Sequence, residues 1–221
     1  MIHPVPATQV AGTLEVVTVT DPLPRPTDPP LACSIDALSM SLQMRDPYTR
    51  FHCDRVGTMC EQLGRYCDLD ATDLSHLALA ARFHDIGKIG IPDNVLLHPA
   101  RLDDDQRAIM RTHPERGERI FAATGRADAQ AVARLIRGHH EAYDGSGYPD
   151  GLRGSDIPLA ARVLTVVDAW DAMTSERPYR DAMERSRVMF LLEDASGGMI
   201  DPQVLGAFQH LPRRDPRLAC G

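Results

Sequence analysis

Lysine is almost absent from this chain: among 24 basic residues, Lys88 alone is not arginine. Other absences narrow the possible functions. Positive charge is not in excess, because 31 acidic residues leave a formal net charge of −7, so a nucleic-acid polymer is not an expected partner. No apolar run approaches the roughly 18–20 residues of a membrane-spanning helix, so no membrane span is expected. The N-terminal MIHPVPATQV lacks the basic and apolar regions of a secretory signal. Five cysteines without a pairing pattern fit a reducing compartment, so a cytoplasmic location is expected. Cys53, Cys60 and Cys67 fall near one helical stripe with Val56, Met59 and Leu63, and read as buried thiols packing like small apolar side chains rather than as a redox sensor.

With 221 residues and 43% apolar content, the chain can build one packed domain and a tail. Residues 1–31 end in the proline-rich DPLPRPTDPP, which excludes regular structure there and predicts a disordered tail. A short strand at 13–20 is the one element the tail allows. A domain over 32–212 follows, then a second tail at 213–221. The pattern predicts helices from Ser34 to a break at Asp46-Pro47, then over 48–66 and 71–86, with Asp70 as N-cap and Gly87 as stop. Further helices are predicted over 103–112, 115–123, 127–140, 159–174, 185–195 and 202–210, with a glycine-rich stretch at 144–157. The fold expected is all-α, an irregular helical bundle.

Polar residues interrupt the apolar stripes of these helices. His84 and Asp85 continue the stripe Leu74, Leu77, Ala78 and Ala81. His52 shares a face with Val56, Met59 and Leu63, and Asp168 shares one with Ala160, Leu164, Val167 and Asp171. His139 and His140 end a helix that buries Val132, Leu135 and Ile136. His113 precedes Pro114, which biases it away from helical geometry and predicts a bend that aims its ring inward. A carboxylate facing a core is costly unless it is paired or metal-bound, and one ligand or ligand pair per helix is how a bundle builds a central site. Five imidazoles and two carboxylates are too many for one tetrahedral zinc. They suit two divalent ions of the Fe or Mn kind bridged by a carboxylate, a pair able to generate a hydroxide and hold both sides of a phosphoryl displacement. Lys88, just beyond Asp85, would orient that hydroxide or neutralise charge on phosphate oxygens. His76 and His98 lack such placement.

His84-Asp85 is similar to the signature of the HD phosphohydrolase superfamily, and HHEAYDGSGYPDGLRGSDIP over 139–158 resembles the defining stretch of its HD-GYP branch. HDIGKIGIPDNVLLHPARL, RTHPERG, ARVLTVVDAWDAMTSERPYR and GGMIDPQVLGAF resemble family segments in the same order. The likeness implies an HD-type bundle with a central metal site that hydrolyses cyclic di-GMP to linear pGpG or GMP. It implies one metal on His52, His84, Asp85 and Asp168 and another on Asp85, His113, His139 and His140, with Lys88 and Asp85 catalytic. Arg177 and Arg180 match positions where the family sets cations against substrate phosphates. Tyr148 stands open between stacking on a guanine and capping the core, and Asp171 is assigned to the substrate side.

Some members carry a glutamate one turn before the first histidine to support a third metal. Here that position is Tyr48, so two ions are expected and mainly pGpG as product. Another cyclic dinucleotide is the alternative substrate. A weakly catalytic, nucleotide-responsive interaction module is the alternative class. Expected partners include a diguanylate cyclase or other signalling protein at the 144–156 loop, or a second copy in a homodimer.

Overall fold

Every regular element among the described residues is a helix, and the β-type pairing they contain is the isolated bridge between Ser196 and Ile200. The computed structural model describes residues 35–45, 49–176 and 181–211. The chain divides into the units Met1–Pro30 and Leu31–Gly221, and all of these residues belong to the second. The expected strand at 13–20, both tails, the break at Asp46-Pro47, and Tyr48, Arg177 and Arg180 lie outside the described residues.

The helices are α1 (Ile35–Arg45), α2 (Thr49–Tyr66), α3 (Ala71–Phe83), α4 (Asp93–Leu96), α5 (Asp104–Met110), α6 (His113–Ala122), α7 (Ala129–Gly138), α8 (Leu159–Thr174), α9 (Arg185–Asp194) and α10 (Pro202–Gln209). Side-chain caps set the starts of α3, α5 and α10. Asp70 accepts from the Asp73 N–H, Asp103 and Gln106 form a reciprocal capping box, and Asp201 accepts from Gln203 and Val204. Helix α8 buries Ala160, Ala161, Val163, Leu164, Val166, Val167 and Trp170, so it is apolar nearly all round and forms the centre of the bundle. Helix α2 packs on α3 and α8, α3 on α7, and α6 on α7. Phe83 against Phe121 joins α3 to α6, and Trp170 against Phe208 joins α8 to α10. Cys53 and Cys60 are buried and Cys67 half-buried, all three free, and burial raises each thiol pKa. They pack as apolar groups.

Three expectations need correction. Helix α3 ends at Phe83 rather than at residue 86, and its buried face is Leu77, Ala80, Ala81 and Phe83, with Ala78 exposed. The chain then tightens into a 3-10 turn, Ile86–Gly90, so Gly87 is no helix stop. A Cβ on Gly87 would lie 1.8 Å from the His113 carbonyl oxygen and 2.6 Å from the Gly117 nitrogen. Glycine is there because the turn lies flush on α6. Third, His113 does not bend out of helical structure but opens α6.

Candidate metal centre

A helix leaves its last carbonyls without partners, and three histidines use that fact in the same way. His84 stands just past α3, His113 three residues past the end of α5, and His139 just past α7. Each ring turns Nδ1 back to the carbonyl three residues earlier: His84 to Ala81 at 2.9 Å, His113 to Met110 at 2.9 Å, and His139 to Ile136 at 2.6 Å. A carbonyl only accepts, so each Nδ1 carries the proton, and a neutral ring then presents an Nε2 lone pair. Those Nε2 atoms converge. His113 and His139 meet at 3.2 Å, and His84 meets the Nε2 of His52 at 3.2 Å.

Asp85 lies between the two pairs. Its Oδ2 is 3.6 Å from His84 Nε2, and its Oδ1 is 3.5 Å from His113 Nε2. Asp168 Oδ1, from α8, is 3.2 Å from His52 Nε2 and 3.8 Å from His84 Nε2. The ring of His140 is 4.0 Å from that of His139 and 5.0 Å from that of His113, centroid to centroid. Two donor groups result, His52 with His84 and Asp85, and His113 with His139 and His140. Thus the seven residues expected as ligands are brought together from α2, the end of α3, the start of α6, the end of α7, and α8.

The donor chemistry fits cations. Burial, with the neighbouring histidines, pushes the His139 pKa well below normal, and burial with His113 pushes that of His140 down to about 4. Burial also lowers His113 although Asp85 opposes it. Neutral rings with protonated Nδ1 leave two lone pairs facing each other across 3.2 Å between His113 and His139, a repulsion that a shared cation turns into binding. The other group differs. Burial lowers the His52 pKa, but Asp168 and Asp171 outweigh it and raise it to about 9. Burial opposes the charge of Asp85, yet Lys88 and the histidines hold its carboxyl well below the usual range. Asp168 is likewise held down against burial, chiefly by His52. Here a proton on His52 and a divalent cation compete for one place.

Lys88 reaches the centre because of the 3-10 turn. In that geometry residues i and i+3 eclipse, and Lys88 Nζ lies 2.7 Å from Asp85 Oδ2. Both line a pocket of about 390 Å³ together with His52, His113, His140, Tyr148 and Asp168. Tyr148 belongs to this wall rather than to the core: its ring stacks on His140, centroids 4.9 Å apart, and the Arg111 guanidinium lies 5.1 Å from its centre. Asp171, expected on the substrate side, is not among the residues that line this pocket. It is buried, accepts from His52 Nδ1 at 2.7 Å and from Arg55 at 2.6 and 2.8 Å, and so has both oxygens occupied.

The sequence reading missed Arg55, Arg111 and Glu141. Glu141 is buried and accepts from the backbone N–H groups of Asp150 and Leu152 at 2.7 and 2.9 Å, fixing the glycine-rich loop. Gly147 in that loop approaches so closely that a Cβ would lie 2.1 Å from the Ala142 nitrogen. Tyr148 N–H donates to the His140 carbonyl, which sets the tyrosine over the imidazole. A carboxylate directly after two site histidines and before a glycine-rich run was the available signal for Glu141. Arg55 had a weaker one, a position one turn after His52.

A family model described as HD domain matches residues 33–204, and the chain belongs to that family. It is similar to the cyclic di-GMP phosphodiesterase response regulator RpfG of Xanthomonas campestris pv. campestris, 37% identical over 178 residues that cover 79% of this chain and 46% of that protein. A cyclic di-GMP phosphodiesterase of Thermotoga maritima is 35% identical, with 81% of this chain and 49% of that protein covered. The 3'3'-cGAMP-specific phosphodiesterase 3 of Vibrio cholerae is 32% identical over 81% of this chain and 38% of its own length. The chain therefore spans about half or less of these relatives.

Among solved structures, a cyclic GMP-AMP-specific phosphodiesterase of V. cholerae superposes with a TM-score of 0.63 at 19% identity, covering 85% of this chain and 50% of that one. The HD domain of the L. monocytogenes phosphodiesterase PgpH gives 0.52 at 15% identity, over 77% and 92%. The recognition made from His84-Asp85 and the 139–158 stretch, and the HD-type helical fold expected from it, are borne out. No helix among the described residues is long and apolar enough to cross a membrane.

Proposed function

We propose that residues 32–212 form a metal-dependent phosphodiesterase domain that opens the ring of cyclic di-GMP. The observation that carries this reading is the convergence of imidazole Nε2 atoms on the two oxygens of Asp85, at the floor of a pocket that also holds a lysine. His52, His84, Asp85 and Asp168 would hold one divalent ion, and Asp85, His113, His139 and His140 the other. Their mixed nitrogen and oxygen donors suit Fe or Mn. Ions bound there supply Lewis acidity toward phosphate oxygens and make water acidic enough to attack at neutral pH.

The chain's own groups do the rest. Lys88, anchored on Asp85, donates to a phosphate oxygen as negative charge builds there. Tyr148, braced on His140, offers an aromatic face to a guanine, and Arg177 and Arg180 meet phosphate oxygens that do not react. One water adds across one P–O3′ bond, leaving a 3′-hydroxyl and a 5′-phosphate, the linear pGpG. With Tyr48 where a third metal would need a carboxylate, the reaction stops mainly at that product. The relatives named for cyclic di-GMP support this substrate, and the one named for 3'3'-cGAMP gives the second reading. Docking of a diguanylate cyclase or other signalling protein on the 144–156 loop, homodimer formation and a cytoplasmic location belong to the same proposal.

The test is purified full chain, loaded with Mn(II) or anaerobically with Fe(II), incubated separately with cyclic di-GMP, 3'3'-cGAMP and cyclic di-AMP, with products separated by chromatography. Cyclic di-GMP should disappear fastest while pGpG accumulates. A preference for 3'3'-cGAMP selects the second reading. Protein that holds two ions and consumes none of the three sinks both.

A further inference from the structure

His52 differs from the helix-end histidines in where it stands. It lies within α2, where backbone carbonyls are committed to the helix ladder. Its Nδ1 pairs with a side chain from another helix. Asp171 of α8 accepts from His52 Nδ1 at 2.7 Å, and Arg55 forks onto the same carboxylate through Nε at 2.6 Å and a terminal nitrogen at 2.8 Å. Each helix contributes two residues three apart, His52 and Arg55 from α2, Asp168 and Asp171 from α8. Asp168 faces the Nε2 side of the imidazole and Asp171 its Nδ1 side. Asp171 is 2% exposed. It lines no part of the large pocket, and borders a separate one of about 120 Å³ with Arg55, Trp170 and Thr174.

We propose that Asp171, clamped by Arg55, is a positioning residue that fixes the His52 ring with Nε2 turned to the centre. The pair thereby sets the cation affinity of the His52, His84, Asp85 and Asp168 half, and touches no substrate. A carboxylate behind a ligating imidazole fixes its tautomer and makes the opposite nitrogen a stronger donor than a carbonyl does. Arg55 keeps that carboxylate in place. The inference rests on the reading that the centre holds divalent ions, and not on which dinucleotide is cleaved.

The test is titration of metal-stripped full chain with Mn(II), free ion followed by electron paramagnetic resonance, without nucleotide. Asp171→Asn can turn its amide nitrogen toward Nδ1 and release the tautomer. It should weaken one of the two Mn(II) sites roughly 10- to 100-fold and leave the other within about twofold. Arg55→Gln should weaken the same site by less, and its side chain is 30% exposed, so it carries the test if Asp171→Asn does not fold. Wild-type Mn(II) isotherms in both variants overturn the proposal. So does weakened cyclic di-GMP binding with an unchanged isotherm, which would return Asp171 to the substrate side. A wild-type chain that takes up no Mn(II) overturns it too. A wild type that binds two ions yet hydrolyses nothing sinks only the proposed function.

Discussion

On one side of Asp85 the centre is built from charged groups, on the other from neutral imidazoles. The first side gathers Asp168, Asp171, Arg55 and Lys88 around His52, whose pKa rises to about 9. The second holds His113, His139 and His140, all with lowered pKa values and without a carboxylate of their own beyond Asp85 among the described donors. The difference follows from His52, which stands within a helix, whereas His84 beside it takes a helix-end carbonyl as His113 and His139 do. At a helix end the backbone supplies the orienting acceptor at no cost in extra charge, as the carbonyls of Met110 and Ile136 do. Inside a helix it cannot, and a carboxylate must be imported together with a counter-charge. Asp85, with one oxygen toward each side, couples the two.

Breaking that coupling should have the largest effect. Asp85→Asn removes the charge both sides share and the anchor of Lys88. Phosphodiester hydrolysis should fall by more than roughly 10³-fold, beyond the loss of one transition-state donor, and both metal equivalents should weaken in the same titration. Loss of one equivalent alone would show that Asp85 serves a single side.

Next in size is Gly87→Ala. Its Cβ would sit 1.8 Å from the His113 carbonyl oxygen, so the turn carrying Lys88 must lift off the helix carrying His113. Overpacking of this kind costs about 1–3 kcal/mol. Urea unfolding should show that loss, and the His113 side should lose metal affinity before the His52 side does.

What the sequence could and could not reveal divides along the same line. Periodicity alone placed His52 and Asp168 on inward faces and found α8 with both its ends, because a stripe depends only on local spacing. It carried the same rule past Phe83, where the chain tightens, and so assigned Asp85 to an α-helix it does not belong to. The pairing of Asp171 with His52 spans 119 positions. No local pattern reports what stands opposite a buried carboxylate, so Asp171 was placed against substrate. The ligand set itself came from residue type, inward placement and family likeness together, and the structure brings those residues to one place.

Lys88→Arg tests the charged side more gently. The ammonium sits 2.7 Å from Asp85 Oδ2, and its side chain is 23% exposed. A guanidinium keeps the charge but needs a wider, planar place. Activity should drop about 10²-fold, the scale of one misplaced donor, with metal content unchanged. Normal turnover would make the single lysine an accident of composition.

The smallest effect is the pH dependence of stability in the metal-stripped protein, in which the two sides act with opposite sign. On the neutral side, histidines with an ordinary pKa of 6.5 are held neutral when folded, His140 down to about 4. Below pH 6.5 the unfolded chain therefore binds protons that the native chain refuses, and stability must fall as pH falls toward 4. Lowered pKa values at Asp85 and Asp168 act in the same direction at still lower pH. On the charged side the sign reverses. His52 holds its proton in the native state up to about 9 against 6.5 when unfolded, so its contribution is complete below 6.5 and is lost as pH rises through 9. Urea midpoints should thus peak near neutrality and decline both ways. His52→Gln should flatten the alkaline limb and His140→Gln the acid one. Saturating Mn(II) displaces the His52 proton, so neither state carries it above pH 6.5, and the alkaline decline should vanish and leave stability level over that window. An alkaline limb that survives His52→Gln would place the proton on another group and remove the contrast between the two sides.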